Sequence, residues 1–174
     1  MQNTAITLND QGKDAFQEGD FEKAISLFQQ VADAHLKADN PLDAADAKNN
    51  LSVALLQMNR AKESLAAAEG TDKIFEEAGD ALRQAMALGN QAAALSELGS
   101  KEEALALYEQ SVKLFDEVDA REYKAEVLKA IAAIKLSKGK FQDTAMDMLD
   151  SLGTTPKPTF LQRILKFLLR IFVR

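Results

Sequence analysis

The sequence predicts an all-α fold, an α-solenoid of about four stacked helix pairs. Three features predict it: a 40-residue period, a helix-forming composition, and apolar residues spaced three and four apart. Gly19, Asn59, Gly99 and Gly139 recur at a turn position, Gly12, Ser52, Ala92 and Ala132 at one small position, and Ala24, Ser64, Ala104 and Thr144 at another. Alanine, leucine, glutamate and lysine dominate, whereas only 3 prolines occur in 174 residues, a balance that suits helices rather than a sandwich or barrel.

The first helix of each pair is expected over about 4–18, 41–58, 81–98 and 121–138, and the second over about 21–38, 61–78, 101–118 and 141–151. The corresponding repeats run over about 5–44, 45–84, 85–124 and 125–152, making residues 1–152 one helical-repeat domain. Asn40 before Pro41 reads as an N-cap and first helical residue. Ser100 with Glu103 fits a capping box, Glu102 and Glu103 favour the dipole of the same helix, and Gly153 ends the last helix. Within a pair, small residues let two helices approach, and larger ones fill the space between pairs. Leu8, Leu88 and Leu128 hold the large first-helix position, with Lys48 as the exception; Phe28, Tyr108 and Met148 hold the second, with Ala68 as the exception. The second repeat is therefore the loosest match, and Gly70 is expected to bend its second helix.

The recurring set Leu8, Gly12, Phe16, Gly19, Phe21, Ala24 and Phe28 resembles the tetratricopeptide repeat. The usual period is 34, and 40 is similar to the long variant of kinesin light chains, as is Ala-Leu-Gly-Asn-Gln-Ala at 87–92. The likeness covers about residues 4–152 and departs at Lys48, Ala68 and the abbreviated fourth unit. It implies a right-handed solenoid whose first helices line a concave peptide-binding face, where asparagine amides pair with an extended backbone. On that face Asn50 and Asn90 are the leading candidates, with Asn49 and Lys13 in support and Lys129 at the far end to receive a carboxylate. Asp10, Asp46, Glu97 and Glu126 surround the face, which favours a neutral or basic peptide. The competing reading makes these asparagines ordinary solvated positions. A lysine-rich carboxylate clamp is poorly matched.

An enzyme is not expected. The single histidine, His35, sits one period before Phe75 and two before Phe115, so it is expected to pack where they pack rather than to act as a base. With no cysteine and one histidine neither a metal site nor a disulfide is expected; no glycine-rich phosphate loop occurs, and no cofactor follows. The N-terminus shows no secretory signal, which leaves the cytoplasm as the expected compartment.

After Gly153 the composition changes. Residues 153–159 form a proline-containing linker, and residues 160–174 a basic amphipathic helix. Its Arg163, Lys166, Arg170 and Arg174 fall on one narrow stripe, and Phe160, Leu161, Ile164, Leu165, Phe167, Leu168, Ile171 and Phe172 are among the apolar residues around it. Since this segment holds four cations and no acid, the overall charge of −6 leaves −10 on residues 1–159, and nucleic acid is not an expected partner. A 15-residue helix is about 22 Å long, short of the roughly 30 Å hydrocarbon core. The expectation is peripheral attachment to an anionic membrane, at its inner face, by a protein-binding adaptor. The alternative is a soluble assembly protein whose tail caps the solenoid, occupies its own groove or pairs two copies; residues 151–159 span at most about 30 Å.

Overall fold

The computed structural model describes residues 2–153, with side chains over 7–139. Eight helices and no strand occur among them: α1 (Gln2–Gln17), α2 (Phe21–Lys37), α3 (Pro41–Gln57), α4 (Ala61–Ala68), α5 (Thr71–Glu77), α6 (Ala81–Glu97), α7 (Lys101–Glu117) and α8 (Arg121–Gly153). The chain divides into two compact units, residues 1–131 and 132–174. The helical repeat expected from the period is present.

The turns obey a stricter rule than the 40-residue period implied. Gly19, Asp39, Asn59, Gly79, Gly99 and Asp119 all have positive φ, so a left-handed residue recurs every 20 residues. Each closes the same six-residue helix end: at the first, the Gly19 N–H donates to Phe16 C=O and the Asp20 N–H to Ala15 C=O, and the pattern repeats through Asp119 and Ala120. Glycine, asparagine and aspartate are the residues that enter this region most cheaply.

The next residue starts the following helix. Asp20, Asn40 and Asp80 accept the N–H of Lys23, Asp43 and Arg83 on their side chains. Asp80 also accepts from Arg83 Nε at 2.7 Å, and the guanidinium lies 5.1 Å from the centre of the Phe75 ring. The Arg83 backbone N–H, reinforced by its side chain, holds the Asp80 carboxyl below the usual aspartate range. The capping box expected at Ser100 does not form, since that side chain makes no cap bond; the helix starts without it.

In residues 1–131 small side chains set the helix contacts. Gly12 packs under Phe28 so closely that an added Cβ would lie 2.7 Å from the ring. In the second pair the Ser52 and Ser64 hydroxyls hydrogen-bond at 2.8 Å, and in the third Ala92 and Ala104 are fully buried. Leu8 packs on Val31, Ala32 and Ala47, which ties the first pair to the second. Phe75 is buried against Ala45 and Ala87, tying the second to the third. His35 sits at the Phe75 register, mostly covered, with Nδ1 3.7 Å from Asp43 Oδ2.

Three expected helices differ. The second helix of repeat two is cut in two: Glu69 leaves helical backbone and Gly70, at φ +76°, restarts the chain as α5. At the other end, no turn forms at Gly139, and the expected helices 121–138 and 141–151 are one continuous α8. Gly139 is helical with open space around it. Leu128, the counterpart of buried Leu88, is 45% exposed.

Gly12→Ala should destabilise the fold by about 1–3 kcal/mol, because a ring buried on all sides has little room to yield. Urea unfolding followed by circular dichroism measures it, and an unchanged midpoint would mean that the contact is loose.

Candidate functional site

A groove of about 330 Å³ lies in residues 1–131, bounded by Ala85, Met86, Gly89 and Asn90 of α6, Tyr108 and Phe115 of α7, and Tyr123, Glu126, Val127 and Ala130 of α8. Its depth follows from Gly89. The equivalent positions carry Asn9, Asn49 and Lys129, whereas here a Cβ would stand 3.6 Å from Ser111 Oγ and 3.9 Å from Val127 Cγ2, so glycine leaves the floor open. One wall is an aromatic stack: Tyr123 lies on Phe115 with ring centres 5.6 Å apart, and Lys124 ion-pairs with Asp116 beside it. Behind it Ser111 Oγ donates to Ala85 C=O at 2.7 Å, locking α7 to α6.

The groove is chiefly apolar, with a few polar groups to orient a ligand. Asn90 contributes an amide and Glu126 a carboxylate, which accepts from Lys129 Nζ at 2.7 Å. Burial, with the charge of Glu97 adding to it, pushes the Tyr108 phenol up, so that its hydroxyl stays protonated. A concave apolar surface with few convergent polar groups is the arrangement that ligand and peptide sites share. Of the residues singled out in the sequence, Asn90 lines this groove and Lys129 is bonded to its rim. Asn50 is half-buried on α3 and Lys13 exposed on α1, and neither lines it. The period did not single out Met86, Tyr123 and Val127; the glycine interrupting the 9, 49, 129 series was the available signal.

Asn49 is corrected. Only 7% exposed, it accepts a hydrogen bond from Thr71 Oγ1 at 3.0 Å, so its amide is committed between helices instead of facing a peptide. Thr71 Oγ1 also donates to Ala68 C=O at 2.7 Å, and the Gln91 amide donates to the same carbonyl at 3.1 Å and to Asp72 at 2.7 Å. The helix break at Glu69 frees that carbonyl, and these two side chains satisfy it. The tail residues assigned to membrane or partner contact, 160–174, lie outside the described residues.

The comparison with protein families settles the class. A model of the soluble NSF attachment protein family, SNAP, matches residues 5–157. The chain belongs to that family. No curated protein matches it. As a SNAP-family chain it is a helical adaptor that works through protein contacts, and its helical repeats are of tetratricopeptide-like kind. The narrower likeness to kinesin light chains is not upheld, since the match is to SNAP.

Thr71→Val should destabilise this SNAP-family chain by about 1–3 kcal/mol, because it removes the donor to two buried acceptors while keeping the side-chain shape. Thermal unfolding at neutral pH reads the change. An unaltered midpoint would mean that the Thr71 hydroxyl contributes little to stability.

Proposed function

We propose that the chain is a non-enzymatic adaptor of the SNAP family that holds an extended protein segment along the groove bounded by α6 and α8 and attaches peripherally to an anionic membrane through residues 160–174. The family's name describes attachment of NSF, and a protein partner of that kind fits a scaffold built to hold another chain. The groove carries the reading: Met86, Val127 and the stacked Phe115–Tyr123 pair offer apolar surface, and Asn90 offers a donor and an acceptor to a peptide bond. Glu126 and the acids of the same face, Asp46 and Glu97, favour neutral or basic segments. Asn50 holds the same register on α3 as Asn90 on α6, and would extend the contact along the chain of the ligand.

The membrane half rests on composition. Four cations, each contributing about 1 kcal/mol beside anionic headgroups, stand with a dense apolar set in 15 residues. Among the described residues no helix is long and apolar enough to cross a membrane. Such an adaptor works on the cytoplasmic side.

Panning a displayed random-peptide library on the full-length protein should enrich apolar sequences with basic residues. The Asn50→Ala, Asn90→Ala variant should bind an enriched peptide about 5–100-fold more weakly with unchanged helicity, the loss expected from two to four ordinary hydrogen bonds. Undiminished capture would remove both asparagines from the site.

Flotation with phosphatidylserine-containing vesicles should carry the full-length protein upward and leave a form ending at Ser151 at the bottom, with neutral vesicles retaining neither. Equal behaviour of the two forms would exclude the tail as anchor and favour its role as a cap, a groove ligand or a contact between copies.

A further inference from the structure

One register position fastens each turn between successive helix pairs, and its chemistry changes along the chain. His35 Nδ1 lies 3.7 Å from Asp43 Oδ2, the Arg83 guanidinium covers the Phe75 ring at 5.1 Å, and Tyr123 stacks on Phe115 at 5.6 Å. Phe75 and Phe115 are equivalent by the repeat, as are Arg83 and Tyr123. At the second of these turns a ring, a carboxylate and a cation are held together, with Asp80 Oδ2 2.7 Å from Arg83 Nε. At the third, the groove has its rings and the Glu126 carboxylate, but neither lysine nor arginine lines it.

Two further features set the charge that suits this groove. Tyr108 is only 6% exposed, yet its hydroxyl bonds to none of the described residues, which leaves a buried phenol oxygen to accept a hydrogen bond. Burial, and then the charge of Glu97, keeps that phenol protonated, and the same negative charge favours a cation beside it. Glu126 on the rim is paired with Lys129 at 2.7 Å, but both side chains are 71% exposed, and an exposed pair of this kind exchanges readily for a better partner.

An arginine satisfies these groups at once. Its methylene stem suits apolar surface, its planar head stacks on an aromatic face, and its forked N–H groups can reach a carboxylate and a phenol oxygen together. A lysine ammonium, compact and strongly hydrated, gives up more on leaving water. We propose that the groove takes an arginine side chain of the bound segment, with the stem on Met86 and Val127 and the guanidinium between the Tyr123 ring and the Glu126 carboxylate. This anchor rests on the reading of the groove as a peptide site, and selects the residue that the peptide places there.

The chain has 2 tyrosines, both in the groove, and no tryptophan. Full-length protein labelled with 3-fluorotyrosine therefore reports on this site alone through two fluorine NMR signals, of which Tyr123→Phe removes one. Blocked pentapeptides with arginine, citrulline, lysine or leucine at the centre of four alanines are the probes. The arginine peptide should displace the Tyr123 signal and saturate, whereas citrulline, similar in shape without the charge, should bind about 10–100-fold more weakly. Glu126→Gln should weaken the arginine peptide by a similar factor and leave the leucine peptide unchanged, with helicity retained because the altered side chain is exposed. Equal binding of all four peptides would overturn arginine as the anchor while the peptide site stands, and no displacement by any of them would remove both. A lysine peptide as tight as the arginine one, or a Glu126→Gln variant that binds arginine undiminished, would overturn the guanidinium contact.

Discussion

Close approach of paired helices at small side chains is the constraint on which the other features depend. Gly12 lies against the Phe28 ring, Ser52 against Ser64, and Ala92 and Ala104 are buried in the third pair. Each permits the next helix to lie near enough for larger residues to interlock between pairs. With so little volume at the contact, alanine rather than leucine dominates the core, and stability comes from many modest contacts spread along the chain. Register therefore matters more than any single large side chain. The six left-handed turns, spaced 20 residues apart, keep it.

Departures from that register produce the distinctive features. Gly70 breaks the second helix of repeat two, and the freed Ala68 carbonyl is recovered by Thr71 and Gln91, a polar bridge that draws Asn49 into the interior. Gly89 stands where other repeats carry asparagine or lysine and opens the groove between α6 and α8. One glycine costs a side-chain contact; its use is access to the Phe115–Tyr123 wall. Irregularity and cavity coincide here, where a regular scaffold supplies the frame and a local exception opens the groove.

The scaffold belongs to a known class of helical adaptors. What distinguishes this chain is its own groove chemistry, apolar with one amide and one carboxylate, and its cationic C-terminal segment set against an acidic remainder.

Much of the fold was legible because periodicity is a property of sequence. Helix composition, the 40-residue step, the cap at Asn40 and the packing register of His35 all follow from residue type and spacing, which act locally or repeat. Asn90 was reachable by the same route, since its face is set by helical phase. Tertiary contacts decided the rest. Asn49 and Asn50 are neighbours with the same side chain, yet Asn49 is buried with Thr71 bonded to it while Asn50 is only partly covered. Ser100 has the residue type of a cap yet makes no cap bond, and Gly139 has the residue type of a turn yet remains helical. A short-range signal proposes such a feature; the neighbour available to pack against it determines whether it forms, and that neighbour comes from another helix.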